Sequence, residues 1–257
     1  MSASTANGTA THHRGPAAIA DKTLLVTGAN RGLGHALVQE ALQRGARRVY
    51  AASRQPLSHP DPRVTPMILD VTDEMQVRHA AERVQSLDML INNAGVSVID
   101  DLSDRGAFER HLAVNLFGIW AVTQAFLASL TRSSGTVVNV VSLGAVAAVP
   151  VMPAYSASKA AALSLTQSLR ALLAGQGVEV HAVLPGPIDT DMVRDLPIPK
   201  AAPESVAQRI LDGVENGDED IFPDPVAATL AEGWQMGAVK QFERQNAALV
   251  AAPPVPA

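Results

Sequence analysis

A glycine-rich turn, Thr27-Gly28-Ala29-Asn30-Arg31-Gly32-Leu33-Gly34, restricts the fold more than any other stretch of the chain. Before it, residues 22–27 (KTLLVT) have the short, continuous apolar character of a parallel strand covered on both faces. After it, HALVQEALQRG has helical periodicity and stops at Gly45. Strand, glycine turn and helix in this order form the phosphate-binding half of a dinucleotide fold, where the backbone approaches a pyrophosphate seated on the helix N-terminus. The spacing is Thr-Gly-x-x-x-Gly-x-Gly rather than Gly-x-Gly-x-x-Gly, so the flanking strand and helix carry the inference.

The same alternation continues. Residues 48–52 (RVYAA) read as a second strand ending in Ser53-Arg54, about twenty residues past the turn. An acid at that place binds the ribose 2′-hydroxyl of NAD, whereas an arginine accommodates the 2′-phosphate of NADP. Arg54, with Arg31 inside the turn, offers two guanidiniums, so NADP(H) is the expected cofactor. Residues 64–69 form a third strand running into Asp70-Val71, and 88–91 a fourth ending in Asn92-Asn93-Ala94-Gly95, with a helix over 74–86 between them. Asp70 also reads as an N-cap of that helix. A helix over 105–130 carries Asn115 within LAVNLFGIW, where a polar amide needs a partner. Residues 135–141 make a fifth strand ending at Ser142, and 178–184 a sixth, followed by Pro185-Gly186-Pro187-Ile188-Asp189-Thr190. His181 alternates into this sixth strand as a packed residue, and 219–222 read as a seventh, edge strand. The fold class is therefore α/β: a Rossmann-type doubly wound, mostly parallel seven-stranded sheet with helices on both faces. Small and polar residues at the strands' carboxyl ends line its ligand crevice.

Tyr155 and Lys159 stand four apart at the start of an alanine-rich helix that runs to about residue 174, so both can face one space. A nearby ammonium favours the phenolate and is expected to lower the tyrosine pKa toward the neutral range, where it exchanges protons usefully. The Ser142 hydroxyl, thirteen residues upstream, can reach the same point, and Pro150 and Pro153 stiffen the connection.

Composition narrows the class further. An apolar fraction of 47% and a charged fraction of 18% suit a globular protein, and a net charge of −5 gives no case for nucleic acid or an anionic membrane. No apolar run is read as reaching the roughly 18 residues of a spanning helix. With no cysteine, thiolate metal sites are excluded, and no metal site is expected; His12 and His13 lie in a small, polar tail. The expected organisation is a flexible tail at 1–20, one domain over 21–250 and a second tail at 251–257.

TGANRGLG at 27–34, NNAG at 92–95, Asn115, Ser142, YSASK at 155–159 and PGPIDT at 185–190 resemble, in order and spacing, the short-chain dehydrogenase/reductase family in its single-domain branch. The resemblance spans roughly residues 20 to 195. It implies Tyr155 as general acid or base, Lys159 lowering the Tyr155 pKa and holding the nicotinamide ribose, Ser142 orienting the substrate carbonyl, and Asn115 holding a proton-relay water. It implies that Gly28, Asn30, Arg31, Gly32 and Leu33 surround the pyrophosphate and adenine ribose. Ser53 and Arg54 would hold the 2′-phosphate, with Asp70 and Val71 beside the adenine. Asn93, Ala94 and Gly95 line the cofactor, and Pro185, Gly186, Ile188 and Thr190 meet its nicotinamide end. Where many members end in Val-Asp-Gly-Gly, this chain has DIFPDP.

The implied activity is NADPH-dependent reduction of a small or medium ketone, or oxidation of its alcohol. Leu143, Val149, Met152 and the 191–199 loop form an apolar substrate wall, with Arg194 and Lys200 the cations available to an anionic substrate. A 3-oxoacyl carrier-protein reductase, with Arg132 as its basic contact, and a catalytically silent NADP-sensing protein are the alternatives. The intact Ser142, Asn115, Tyr155 and Lys159 weigh against the second. A cytoplasmic location and a homo-oligomer, dimer or tetramer, are expected.

Overall fold

The computed structural model describes residues 18–194 and 197–251. Most of the two expected tails, including His12 and His13, lies outside these residues. Seven strands, β1 (Thr23–Thr27), β2 (Arg48–Ser53), β3 (Val64–Ile68), β4 (Met89–Asn92), β5 (Thr136–Val140), β6 (Glu179–Val183) and β7 (Asp220–Ile221), form one sheet in the order β3-β2-β1-β4-β5-β6-β7. Every neighbouring pair is parallel, so the expected mostly parallel sheet is parallel throughout. The strand order reverses between β1 and β4, and this is where an open α/β sheet leaves a crevice beyond its carboxyl ends.

Side chains alternate between two buried layers. Leu24 and Val26 of β1 pack with Leu37 of α1 (Gly32–Gln43) and Ile210 of α6 (Pro203–Asn216). Leu25, between them, faces Phe126 and Leu130 of α4 (Ile119–Ser133) and Leu169 of α5 (Pro153–Ala174). The inner strands are buried on both faces and read as continuous apolar runs for that reason, whereas the edge strand β3 is partly exposed. Asp73, not Asp70, caps α2 (Glu74–Arg83), accepting from the backbone N–H of Met75 and Gln76. Asp70 instead accepts from the Thr72 backbone N–H at 2.9 Å and the Thr72 hydroxyl at 2.7 Å, holding the turn after β3.

The helix expected over 105–130 runs on to Ser133: α3 (Arg105–Leu112) continues through a π-turn at Ala113–Gly118 into α4. With a mean hydropathy of 1.5 over an 18-residue window, it is long and apolar enough to cross a membrane by length and composition. This corrects the reading that no run reaches that length: residues 112–130 carry no charge, and Gly118 does not break the helix. Val122, Phe126 and Leu130 pack onto the sheet, while Phe117 and Trp120 are more than half exposed.

Beyond α6, the stretch read as helix and coil forms α7 (Pro225–Gln235) and α8 (Ala238–Ala251). Helix α8 is fastened to the β7 edge by charge. Lys240, 1% exposed, pairs with Asp220 at 2.7 Å and with Glu219 and Glu243 at 3.0 Å each. Arg170 of α5 joins Asp220 at 2.7 Å and also Glu243, and the Trp234 indole donates to Asp220 at 2.7 Å. His181 is packed as expected, its Nδ1–H bonded to the Asp218 carbonyl at 2.7 Å. Burial pushes its pKa below the ordinary value, so the ring is neutral.

Candidate active site

The N-terminus of α1 opens on a cavity of about 740 Å³ at the carboxyl end of the sheet. No side chain caps this helix and no acid stands in its first turn, which leaves its N–H groups for an external acceptor. A Cβ on Gly34 would lie 2.1 Å from the Gly28 carbonyl oxygen, so the turn closes only around glycine. Asn93 braces the turn from the end of β4, donating its amide to the Thr27 and Gly28 carbonyls at 2.9 and 3.2 Å. The Thr27 hydroxyl accepts the backbone N–H of Asn93 and Ala94, each at 3.0 Å. Asn93 is thus a strut, and its backbone with Ala94 and Gly95 forms the wall.

Every residue expected to contact the cofactor lines this cavity, from Gly28 to Thr190, as do Leu143, Val149 and Met152 and, from the 191–199 loop, Asp191, Met192, Val193 and Ile198. Asn115 lies behind its wall, and residues 195 and 196 of the loop fall outside the described residues. A neighbouring lobe of about 240 Å³ is bounded by Asn30, Arg31, Arg54 and Gln55. An uncapped helix N-terminus beside a lobe flanked by two guanidiniums fits a dinucleotide carrying a 2′-phosphate.

At the other end of the cavity, Pro153 opens α5 as its first residue, which suits its missing N–H, and Tyr155 and Lys159 follow on the cleft side. Ser142 follows β5, and its hydroxyl accepts the Gly144 N–H at 3.0 Å. Burial pushes the Tyr155 phenol above its ordinary pKa, and a hydrogen bond from Ser142 pulls it partly back. Lys159 donates to the Val140 carbonyl at 2.8 Å and lies 5.8 Å from the tyrosine ring centre. Burial draws its own pKa down to about 8. The expected lowering of the Tyr155 pKa is therefore not the direction here, because burial governs the shift of each group.

Asn115 is completely buried in the π-turn. Its amide donates to the Val96 carbonyl and the Ser158 hydroxyl, and its Oδ1 accepts the Val96 N–H, all at 2.9 Å. One Oδ1 lone pair remains. A Cβ on Gly95 would stand 3.3 Å from that oxygen and 3.8 Å from the Lys159 nitrogen, so the two face a common space.

Four supporting residues escaped the sequence reading. Asn139, fully buried on β5, accepts from Asn92 at 2.9 Å and donates to Thr166 of α5 at 3.0 Å, and Asn92 also donates to Thr123 of α4 at 3.1 Å. A lone amide in the apolar GTVVNVV was its only signal. Asp224, within DIFPDP, caps α7 and accepts the Gly186 N–H at 2.7 Å, pinning the loop after β6. His111 accepts the Val98 N–H at 3.3 Å while its Nδ1–H meets the Ala107 carbonyl at 2.8 Å, and its ring edge abuts Tyr155. Asp100 accepts the Ala154 N–H at 3.3 Å, placing a carboxylate at the positive end of α5.

The cations available to an anionic substrate are otherwise engaged. Arg194 pairs with Asp191, and Lys200 donates to the Arg194 carbonyl at 2.9 Å. Arg132 sits in the last turn of α4, bonded to Ser129, near the start of β5 and at the opposite end of that strand from Ser142. It cannot serve as a contact at the site mouth.

Comparison with known proteins agrees with this geometry. The family model described as short chain dehydrogenase matches residues 22–200. A short chain dehydrogenase from Burkholderia cenocepacia J2315, solved in complex with NADP, is 39% identical and superposes with a TM-score of 0.80 over 88% of this chain and 98% of its own. Among curated proteins, the 2-(S)-hydroxypropyl-CoM dehydrogenase 3 of Xanthobacter autotrophicus is 32% identical over 209 residues, 74% of this chain and 81% of its own. The short chain dehydrogenase mpl6 of Monascus purpureus is 34% identical over 202 residues, 68% of each. With the glycine turn, the parallel sheet and the Ser142–Tyr155–Lys159 cluster in place, this chain belongs to the short-chain dehydrogenase/reductase family of oxidoreductases.

Proposed function

We propose that the chain is an NADPH-dependent reductase that converts a small or medium ketone to a secondary alcohol, reversibly. The observation that carries this reading is the Ser142 hydroxyl set beside the Tyr155 phenol, in a cavity the two share with Leu143, Val149 and Met152. Two hydroxyls converging beside apolar side chains suit one carbonyl oxygen and its hydrocarbon substituents. NADP(H) is the cofactor that the Arg31–Arg54 lobe and the uncapped α1 accommodate, and it supplies or takes up the hydride.

In this reading Ser142 donates to the carbonyl oxygen and fixes its position. Tyr155 gives its proton to that oxygen as negative charge develops there. A phenol held above its ordinary pKa is fully protonated near neutrality and so is loaded for this step. Lys159, still charged at neutral pH, offsets the tyrosinate left behind. Asn115 holds a water at its remaining Oδ1 lone pair, in the space it shares with Lys159, and through it the proton is replaced from solvent. The partner expected beside the substrate is a second copy of the chain, as dimer or tetramer, to which the exposed Phe117 and Trp120 are suited. Residues 21–250 act as one domain in this reading.

Tyr155→Phe tests it. The variant should bind NADPH as the wild type does, followed by nicotinamide fluorescence, and lose at least about 10²-fold in kcat on any ketone the wild type reduces. Retained turnover would show that another group supplies the proton.

A further inference from the structure

The segment after β6 lies across the cofactor cleft and is tied down at both of its sides. Toward the start of α6, the Asp189 N–H donates to the Ala201 carbonyl and the Ala201 N–H to the Pro187 carbonyl, each at 2.9 Å. Toward the glycine turn, it comes close enough that a Cβ on Gly32 would lie 2.9 Å from the Thr190 methyl, and Gly32 has a φ of +53°. Next to this contact, Asp191 pairs with Arg31 at 2.6 Å, across 160 residues of sequence. Arg31 also bounds the 240 Å³ lobe with Arg54. One guanidinium therefore stands between a carboxylate on the substrate side and the place that suits a 2′-phosphate.

We propose that Asp191 and the cofactor 2′-phosphate compete for Arg31, so that Asp191 is a specificity-determining residue for the cofactor. The inference rests on the NADP(H) reading above. The pair is exposed, with the Arg31 side chain 67% and the Asp191 side chain 40% accessible, so it is weak enough to be exchanged. A phosphate monoester brings about two negative charges and three acceptor oxygens against the carboxylate's single charge and two. When the phosphate draws Arg31 away, Asp191 keeps its second partner, Arg194, and the segment loses its tie to the glycine turn. Met192 and Val193, which follow Asp191, line the cavity, so the wall of the substrate pocket is released by the phosphorylated cofactor alone. A cofactor without the phosphate binds with the tie still made.

Calorimetric titration of the full-length protein with 2′,5′-ADP and with 5′-AMP reads this without turnover. Asp191→Asn should bind 2′,5′-ADP about two- to fivefold tighter, as expected for freeing one partner of an exposed pair, and bind 5′-AMP unchanged. In an Arg31→Gln background the same Asp191→Asn change should have no effect on either ligand, because the two residues are coupled. The proposal is overturned if Asp191→Asn leaves 2′,5′-ADP affinity unchanged or weakens it. It is equally overturned if both ligands gain alike, or if the gain persists without Arg31. A wild type that binds the two ligands equally sinks the NADP(H) reading itself, and the competition with it. A wild type that prefers 2′,5′-ADP, with a neutral Asp191→Asn, removes only the competition.

Discussion

Lys159 holds its ammonium against the Val140 carbonyl, and burial draws its pKa down to about 8. In the unfolded chain the same amine titrates near 10.5, so between these values the unfolded state binds the extra proton. The stability this group contributes is present above the unfolded value and is lost as pH falls through about 8. Wild type should therefore gain on Lys159→Met as pH rises from 8 to 10, by about 2 kcal/mol, read from urea midpoints at the two pH values. A difference that stays flat would mean that the ammonium is not desolvated. Tyr155, whose folded pKa is raised, acts in the opposite sense and only above about pH 10. Tyr155 and Lys159 were readable because they share a helix face four residues apart. The balance of their pKa values was not readable, because desolvation depends on what the other elements place around them.

At the scale of elements, the row Thr123–Asn92–Asn139–Thr166 joins α4, β4, β5 and α5 through buried hydrogen bonds. These elements carry or flank Asn115, Ser142, Tyr155 and Lys159, so the row sets their spacing. Asn139→Leu leaves both Asn92 and Thr166 short of a partner and should cost about 2–5 kcal/mol, measured by chemical denaturation. A cost below about 1 kcal/mol would show that water or a rotamer change satisfies them. The strands, the glycine turn and α5 were legible in the sequence because their signals are local: continuous apolar runs, a glycine spacing, an alanine-rich helical pattern. Asn139, Asp224 and the Arg31–Asp191 pair were not, since each acts on a partner that only the sheet order brings near. Asp70 went astray for a related reason, because two acids three residues apart compete for one cap and local pattern does not choose between them.

Across the whole molecule, the β7 edge depends on charges from α5, β7 and α8. Burial alone would push the Asp220 carboxyl up, but Arg170, Lys240 and the Trp234 indole hold it below the ordinary carboxylate value. Glu219 is lowered in the same way by Lys240, Arg170 and Arg244 against its burial. The stability these two acids contribute is complete above their unfolded pKa values of 3.8 and 4.5 and is lost as pH falls through the lower folded values. Acidification below about pH 4 should release α8 first, giving a Trp234 fluorescence change that precedes the loss of far-UV circular dichroism. Coincident transitions would mean that α8 and the sheet melt as one unit.

The charge clamp also orders events during synthesis. Arg170 and Asp220 are synthesised before Lys240 and Glu243, so until α8 is made only one of the two cations that pair with Asp220 is present. Until α8 arrives, the nascent chain carries a two-residue terminal strand whose acid is only half neutralised. A sheet edge whose covering helix is still to be made is open to pairing with a neighbouring chain, and α8 is what removes that opening at β7.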